Sequence, residues 1–132
     1  MRALDTNVLL RYLTGDDPRQ HTIARRTLDE CASIQEPAFL PVLVICEAVW
    51  VLAHSHGLGK AHVLAVVEDL LDTDMFHIER EDVVRRALEA CRTGKGNFSD
   101  YVIGAIAAHH GCRDTVTFDK ALKGAGGFTV LA

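Results

Sequence analysis

Arg2-Ala3-Leu4-Asp5-Thr6-Asn7-Val8-Leu9-Leu10-Arg11-Tyr12-Leu13-Thr14 decides how the rest of the chain is read. A short β-type run stops at an acid, and from Val8 onward the apolar spacing turns helical. An acid at a strand-to-helix junction can cap the helix, because its carboxylate accepts from the orphan N–H groups of the first turn. It can also be a functional group, because open parallel sheets keep their sites beyond the carboxyl ends of the strands. Asp5 taken alone leaves both readings open.

Working outward, the same alternation repeats. Gly15-Asp16-Asp17-Pro18 closes a helix over residues 8–14, and a second helix is predicted over 19–31, with Ile23, Ala24, Thr27 and Leu28 as its apolar positions. Residues 38–40 read as a strand, and Pro41 then suits the first turn of a helix running to about 54. A helix over 60–71 ends at Asp72-Thr73-Asp74, and 75–78 is the next strand. Residues 82–92 are amphipathic through Val83, Ala87, Leu88 and Cys91. Gly94-Lys95-Gly96-Asn97 breaks the chain before a helix over 99–110, with Ser99 as the expected cap and Gly111 as its end. A strand over 115–117, a short helix over 120–123 and a strand over 128–131 complete the chain. Strands separated by helices require crossovers, so the expected class is α/β. The predicted architecture is a three-layer α/β/α sandwich around a mainly parallel sheet of about five strands. With no linker or repeat in 132 residues, positions 1–132 read as a single domain.

Composition narrows the function classes. Hydrophobic residues at 48% and charged residues at 24% fit a globular protein rather than a disordered one. The longest apolar stretch, 38–53, is broken by Pro41 and Glu47 and falls short of the roughly 18 uninterrupted residues of a membrane span. Asp5 interrupts the N-terminus too early for a signal peptide, so a cytoplasmic protein without membrane contact is expected. Cys31, Cys46, Cys91 and Cys112 form no CxxC pair and read as free thiols. The pairs His54/His56 and His109/His110 lack helical metal-ligand spacing and read as surface groups. A net charge of −4 is unlike that of a dedicated nucleic-acid binder. The charge is either spread over the surface or concentrated where a bound cation offsets it.

Position bears on that choice. Asp119, in Thr117-Phe118-Asp119-Lys120-Ala121-Leu122, repeats the junction seen at Asp5, and Asp100 falls in the first turn of its helix. Glu47 lies in Val42-Leu43-Val44-Ile45-Cys46-Glu47-Ala48-Val49-Trp50-Val51-Leu52, which is apolar on nearly every side. It is therefore expected to be buried and to need a partner, either an arginine or a metal ion. Three acids at helix starts on one sheet edge, with a fourth on a crossover helix, form a set that a cation would stabilise. Oxygen-only donors suit Mg²⁺ or Mn²⁺ rather than zinc, and such ions serve phosphodiester hydrolysis.

Four segments together resemble the PIN domain. They are Asp5-Thr6-Asn7-Val8-Leu9-Leu10-Arg11-Tyr12-Leu13, Glu47 with Val49-Trp50-Val51-Leu52, Phe98-Ser99-Asp100, and Thr117-Phe118-Asp119-Lys120-Ala121-Leu122. More narrowly they resemble the VapC toxins of toxin–antitoxin pairs. The resemblance implies a metal-dependent endoribonuclease acting on RNA such as tRNA or ribosomal RNA, a VapB-type antitoxin partner and a homodimer. It implies that Asp5, Glu47, Asp100 and Asp119 are the metal-binding and catalytic quartet. It places Thr6, Asn7 and Thr117 as supporting polar residues, and it implies products with a 5′-phosphate and a 3′-hydroxyl. Two positions depart from the pattern. Asn97 stands where many relatives carry an acid, and Tyr101 stands where a small residue is common, which is expected to narrow the cleft.

RNA affinity then requires basic groups around the acids. Arg11 is the leading candidate for a phosphate contact, followed by Lys120, Arg92 and Lys95, while Arg85 and Arg86 read equally well as a solvated face. Trp50 reads first as core, and part of the surface of residues 49–52 is also a candidate dimer or antitoxin contact. A haloacid-dehalogenase-like phosphatase would need a second acid where Asn7 stands. A receiver domain would need an acceptor Asp after Phe76-His77-Ile78. A PIN-fold RNA-processing nuclease without an antitoxin, and a non-catalytic RNA- or protein-binding module, remain as alternatives.

Overall fold

The structure, a computed structural model, describes residues 1–132, which divide into two compact units, Met1–Glu79 and Arg80–Ala132.

In the first unit, Asp5 ends the opening segment and caps α1, Thr6–Leu13. The preceding residues make only a parallel bridge, Ala3 to Phe39, with Leu4 N–H donating to the Phe39 carbonyl at 3.0 Å. Asp17 caps α2, Pro18–Ser33, and Pro18 occupies the first turn, where a missing N–H costs nothing. Strand β1, Ala38–Leu40, leads through Pro41 into α3, Val42–His54, and α4, Lys60–Asp72, leads into β2, Phe76–Ile78. β1 and β2 pair in parallel, Ala38 opposite Phe76 and Leu40 opposite Ile78, with α3 and α4 supplying the long crossover that a parallel pair needs. α1 packs on α2 and α3, and α3 on α4. Leu9, Leu40, Ile45 and Val67 are the largest fully buried side chains of this unit.

The second unit opens with α5, Glu81–Thr93, whose Val83, Val84, Ala87, Leu88 and Cys91 form one buried stripe at helical spacing. It faces α6, Phe98–His109, which buries Phe98, Tyr101, Val102 and Ala105. Strands β3, Thr115–Thr117, and β4, Phe128–Val130, pair in parallel across a 3₁₀ turn at Lys120–Leu122. The α/β class and parallel pairing match the sequence-based expectation. Regular sheet is confined to short pairs, one in each unit, together with the Ala3 bridge. No helix is long and apolar enough to cross a membrane.

Three local expectations are corrected. Ser99 does not cap α6; Asn97 does, and its N–H donates to Asp100 Oδ2 at 2.9 Å. Glu47 is exposed rather than buried, because α3 turns Leu43, Glu47, Trp50 and His54 to one open face. Trp50 is likewise 56% exposed rather than core, with its ring stacked on that of His54 at 4.5 Å. All four cysteines are free, and burial pushes the Cys46 thiol up to about 11.

Candidate metal centre

In the first unit a single buried hydroxyl organises the acids. Thr6, the one buried polar residue, donates its N–H to Asp5 Oδ1 at 2.7 Å and its Oγ1 to Glu47 Oε1 at 3.3 Å. Glu47 comes from a helix far along the chain, so the packing of α1 on α3 brings the two carboxylates to one residue. Of the two partners considered for Glu47, an arginine is not there; its only side-chain hydrogen bond comes from this threonine. Asn7 is exposed and lines a neighbouring cavity of about 420 Å³ together with Arg2, Arg11 and Gln20.

In the second unit, Asp119 Oδ1 accepts from Ala121 N–H at 2.9 Å, and Thr117 Oγ1 accepts from Asp119 N–H at 3.0 Å. Asp100 Oδ2 accepts the Asn97 N–H. Gly96 lies between the start of α6 and the 3₁₀ turn. A Cβ there would fall 2.5 Å from Leu122 Cδ2 and 3.2 Å from Asp100 Oδ2.

The capping reading of the aspartates holds, and it leaves an oxygen of each uncommitted. Each of Asp5, Asp100 and Asp119 commits one oxygen to a helix start, and Glu47 commits one to Thr6. The second oxygen of each has no hydrogen-bonding partner, and no lysine or arginine pairs with any of the four. Such a donor set, oxygen-only and uncompensated by cations, fits a hard divalent ion. Within neither unit do three or more His, Cys, Asp or Glu side chains come together at metal-binding spacing, and in the first unit Asp5 and Glu47 meet at Thr6.

The basic candidates separate. Arg11 is engaged, with Nε donating to Gln20 Oε1 at 2.7 Å and Nη1 3.5 Å from Asp16 Oδ1. Hydrogen bonds from Thr14 and His56 to Asp16 hold its carboxyl below the usual range, with a smaller contribution from Arg11. Arg92 pairs with Glu89 at 3.1 Å, and Arg85 with Glu81 at 2.9 Å. Lys95 and Lys120 line one cavity, together with Lys123, which sequence reading passed over. The signal for it was the short run Lys120-Ala121-Leu122-Lys123-Gly124, in which two lysines precede a glycine-rich turn.

The PIN-domain profile matches residues 2–127, nearly the whole chain. The chain belongs to the PIN-domain family. A VapC ribonuclease of Aquifex aeolicus (strain VF5) is 31% identical to it over 130 residues, covering 98% of this chain and 96% of that protein. Tyr101 lines that same lysine-bearing cavity. It is buried, its hydroxyl accepts the Gly96 N–H at 2.9 Å, and its ring meets that of Phe128 edge-on.

Proposed function

We propose that this PIN-family protein is a metal-dependent endoribonuclease, the toxin of a VapBC-type pair. In this reading its two units form a single PIN domain. The observation that carries this reading is the free second oxygen on each of Asp5, Glu47, Asp100 and Asp119, none of which forms an ion pair with a lysine or arginine. The match to a VapC ribonuclease over nearly the full length supports the substrate class and the antitoxin partner.

The four acids would hold one or two Mg²⁺ or Mn²⁺ ions, which when bound acidify a water and offset charge on the attacked phosphate and the leaving oxygen. The chain's own part is positioning. The cap hydrogen bonds fix one oxygen of each aspartate, so the other keeps a defined direction. Thr6 orients Glu47, and Thr117 holds the backbone of Asp119. Hydrolysis would leave a 5′-phosphate and a 3′-hydroxyl. A homodimer and a cytoplasmic location belong to the same reading.

The test is cleavage of total cellular RNA by antitoxin-free protein in Mg²⁺, Mn²⁺ or EDTA, beside Asp5→Asn. Discrete fragments that need the metal and vanish in the folded variant are expected. Intact RNA in every condition favours a non-catalytic binding module, and full activity in Asp5→Asn removes the site assignment.

A further inference from the structure

The second unit holds a cavity of about 610 Å³ between the end of α5, the start of α6 and the glycine-rich segment after the 3₁₀ turn. Three of the chain's four lysines, Lys95, Lys120 and Lys123, line it. No aspartate or glutamate does. None of the three lysines forms an ion pair, whereas Arg2, Arg11, Arg80, Arg85 and Arg92 each face a carboxylate. In a protein of net charge −4, this is a concave pocket of uncompensated positive charge.

Its walls are built for close approach. Gly94, Gly124 and Gly126 line it and present backbone without side chains. Tyr101 closes one side and is fixed by its hydrogen bond from Gly96. A Cβ at Gly94 would collide with the Tyr101 hydroxyl, so Tyr101 in this position requires glycine at 94. Lysine ammonium groups are compact point charges that hold phosphate without the planar geometry an arginine fork demands. The pocket is also chained to the acids of its own unit: Lys120 follows Asp119 and Tyr101 follows Asp100.

We propose that this lysine-lined cavity binds an internal backbone phosphate of the RNA strand, flanking the bond to be cut. This rests on the ribonuclease reading for the nature of the strand. The interaction is with phosphate, so it adds affinity without choosing bases. It would supply the attraction that the chain's overall charge denies to RNA.

The experiment is fluorescence anisotropy in EDTA, where no metal-dependent cleavage occurs. It uses a labelled oligoribonucleotide with a 5′-hydroxyl and the same strand with a 5′-phosphate. Lys123→Gln, Lys123→Arg and the triple Lys95→Gln/Lys120→Gln/Lys123→Gln are compared with the wild type. The triple variant is expected to bind both strands about tenfold or more weakly. Its slope of log affinity against log salt should be shallower by about 0.7, the change for one phosphate no longer neutralised. Lys123→Gln should show the same loss in part, and Lys123→Arg, which keeps the charge, should retain most binding. Wild-type affinity and slope in the triple variant overturn the proposal, as does a wild type that binds neither strand. A loss confined to the 5′-phosphorylated strand also overturns it, in favour of a terminal-phosphate pocket. Metal-dependent cleavage is scored separately. Cleavage with no effect of the lysines sinks this proposal alone, and lysine-dependent binding without cleavage sinks the nuclease reading alone.

Discussion

Thr6 carries more of the candidate centre than its size suggests. A buried hydroxyl needs a partner, and here the partner is Glu47, which makes one hydrogen bond serve both folding and placement. Thr6→Val keeps the shape and removes the donor. Loss of such a supporting hydrogen bond typically costs about 10–100-fold in metal affinity or activity. Cleavage rates and Mn²⁺ titrations on Thr6→Val should fall in that range while the thermal midpoint moves little. Wild-type cleavage by this variant would mean that the hydroxyl does not position Glu47. Asp5, Asp100 and Asp119 were legible in the sequence as acids at helix starts, because capping is a local property. Capping leaves room for the proposed second use, because a carboxylate has two oxygens, of which a cap needs one.

At the scale of elements, the two ends of α5 are held by unusual means. The residue before α5, Arg80, sits in the left-handed region at φ 55°, and its guanidinium donates to both oxygens of Asp82, at 3.1 and 2.8 Å. The hydrogen bonds from Arg80 hold the Asp82 carboxyl at about 2, below its ordinary 3.8. A carboxyl lowered in the folded state stabilises above its unfolded value, and that contribution disappears as pH falls from about 4 to about 2. Thermal melts across this window should therefore show a smaller acid-induced drop for Asp82→Asn than for the wild type; equal drops would show that the pair contributes nothing. At the other end of α5, Gly94 has no room for a side chain beside Tyr101. Gly94→Ala forces that buried ring to move, an overpacking that costs about 1–3 kcal/mol, and chemical denaturation should register it. The helices themselves were readable from periodicity to within a few residues. The strands were readable as segments, but strand pairing is a long-range matter, and only short parallel pairs formed.

For the whole molecule, charge is the governing quantity. A chain of net charge −4 repels RNA unless a cation is bound or basic groups are gathered in one place. The double variant Asp100→Asn/Asp119→Asn lowers the net negative charge by two and leaves an amide oxygen at each cap. In EDTA it should bind RNA more tightly than the wild type while failing to cleave in Mg²⁺. Weaker binding in anisotropy measurements would argue that these acids do not border the RNA path.

The sequence by itself determined the element types and marked the four acids as candidates, since periodicity and motif order are encoded within a few residues. It also pointed to the family through motif order, which the full-length match bears out. Only the tertiary structure decided what depends on packing between distant residues. Helix α3 is apolar on most of its surface, so composition alone placed Glu47 and Trp50 inside, and only its packing on α1 and α4 shows which side stays open. Lys95 and Lys123 are ordinary loop lysines until α5, α6 and the 3₁₀ turn fold around one cavity, because like charges gather only where a backbone holds them.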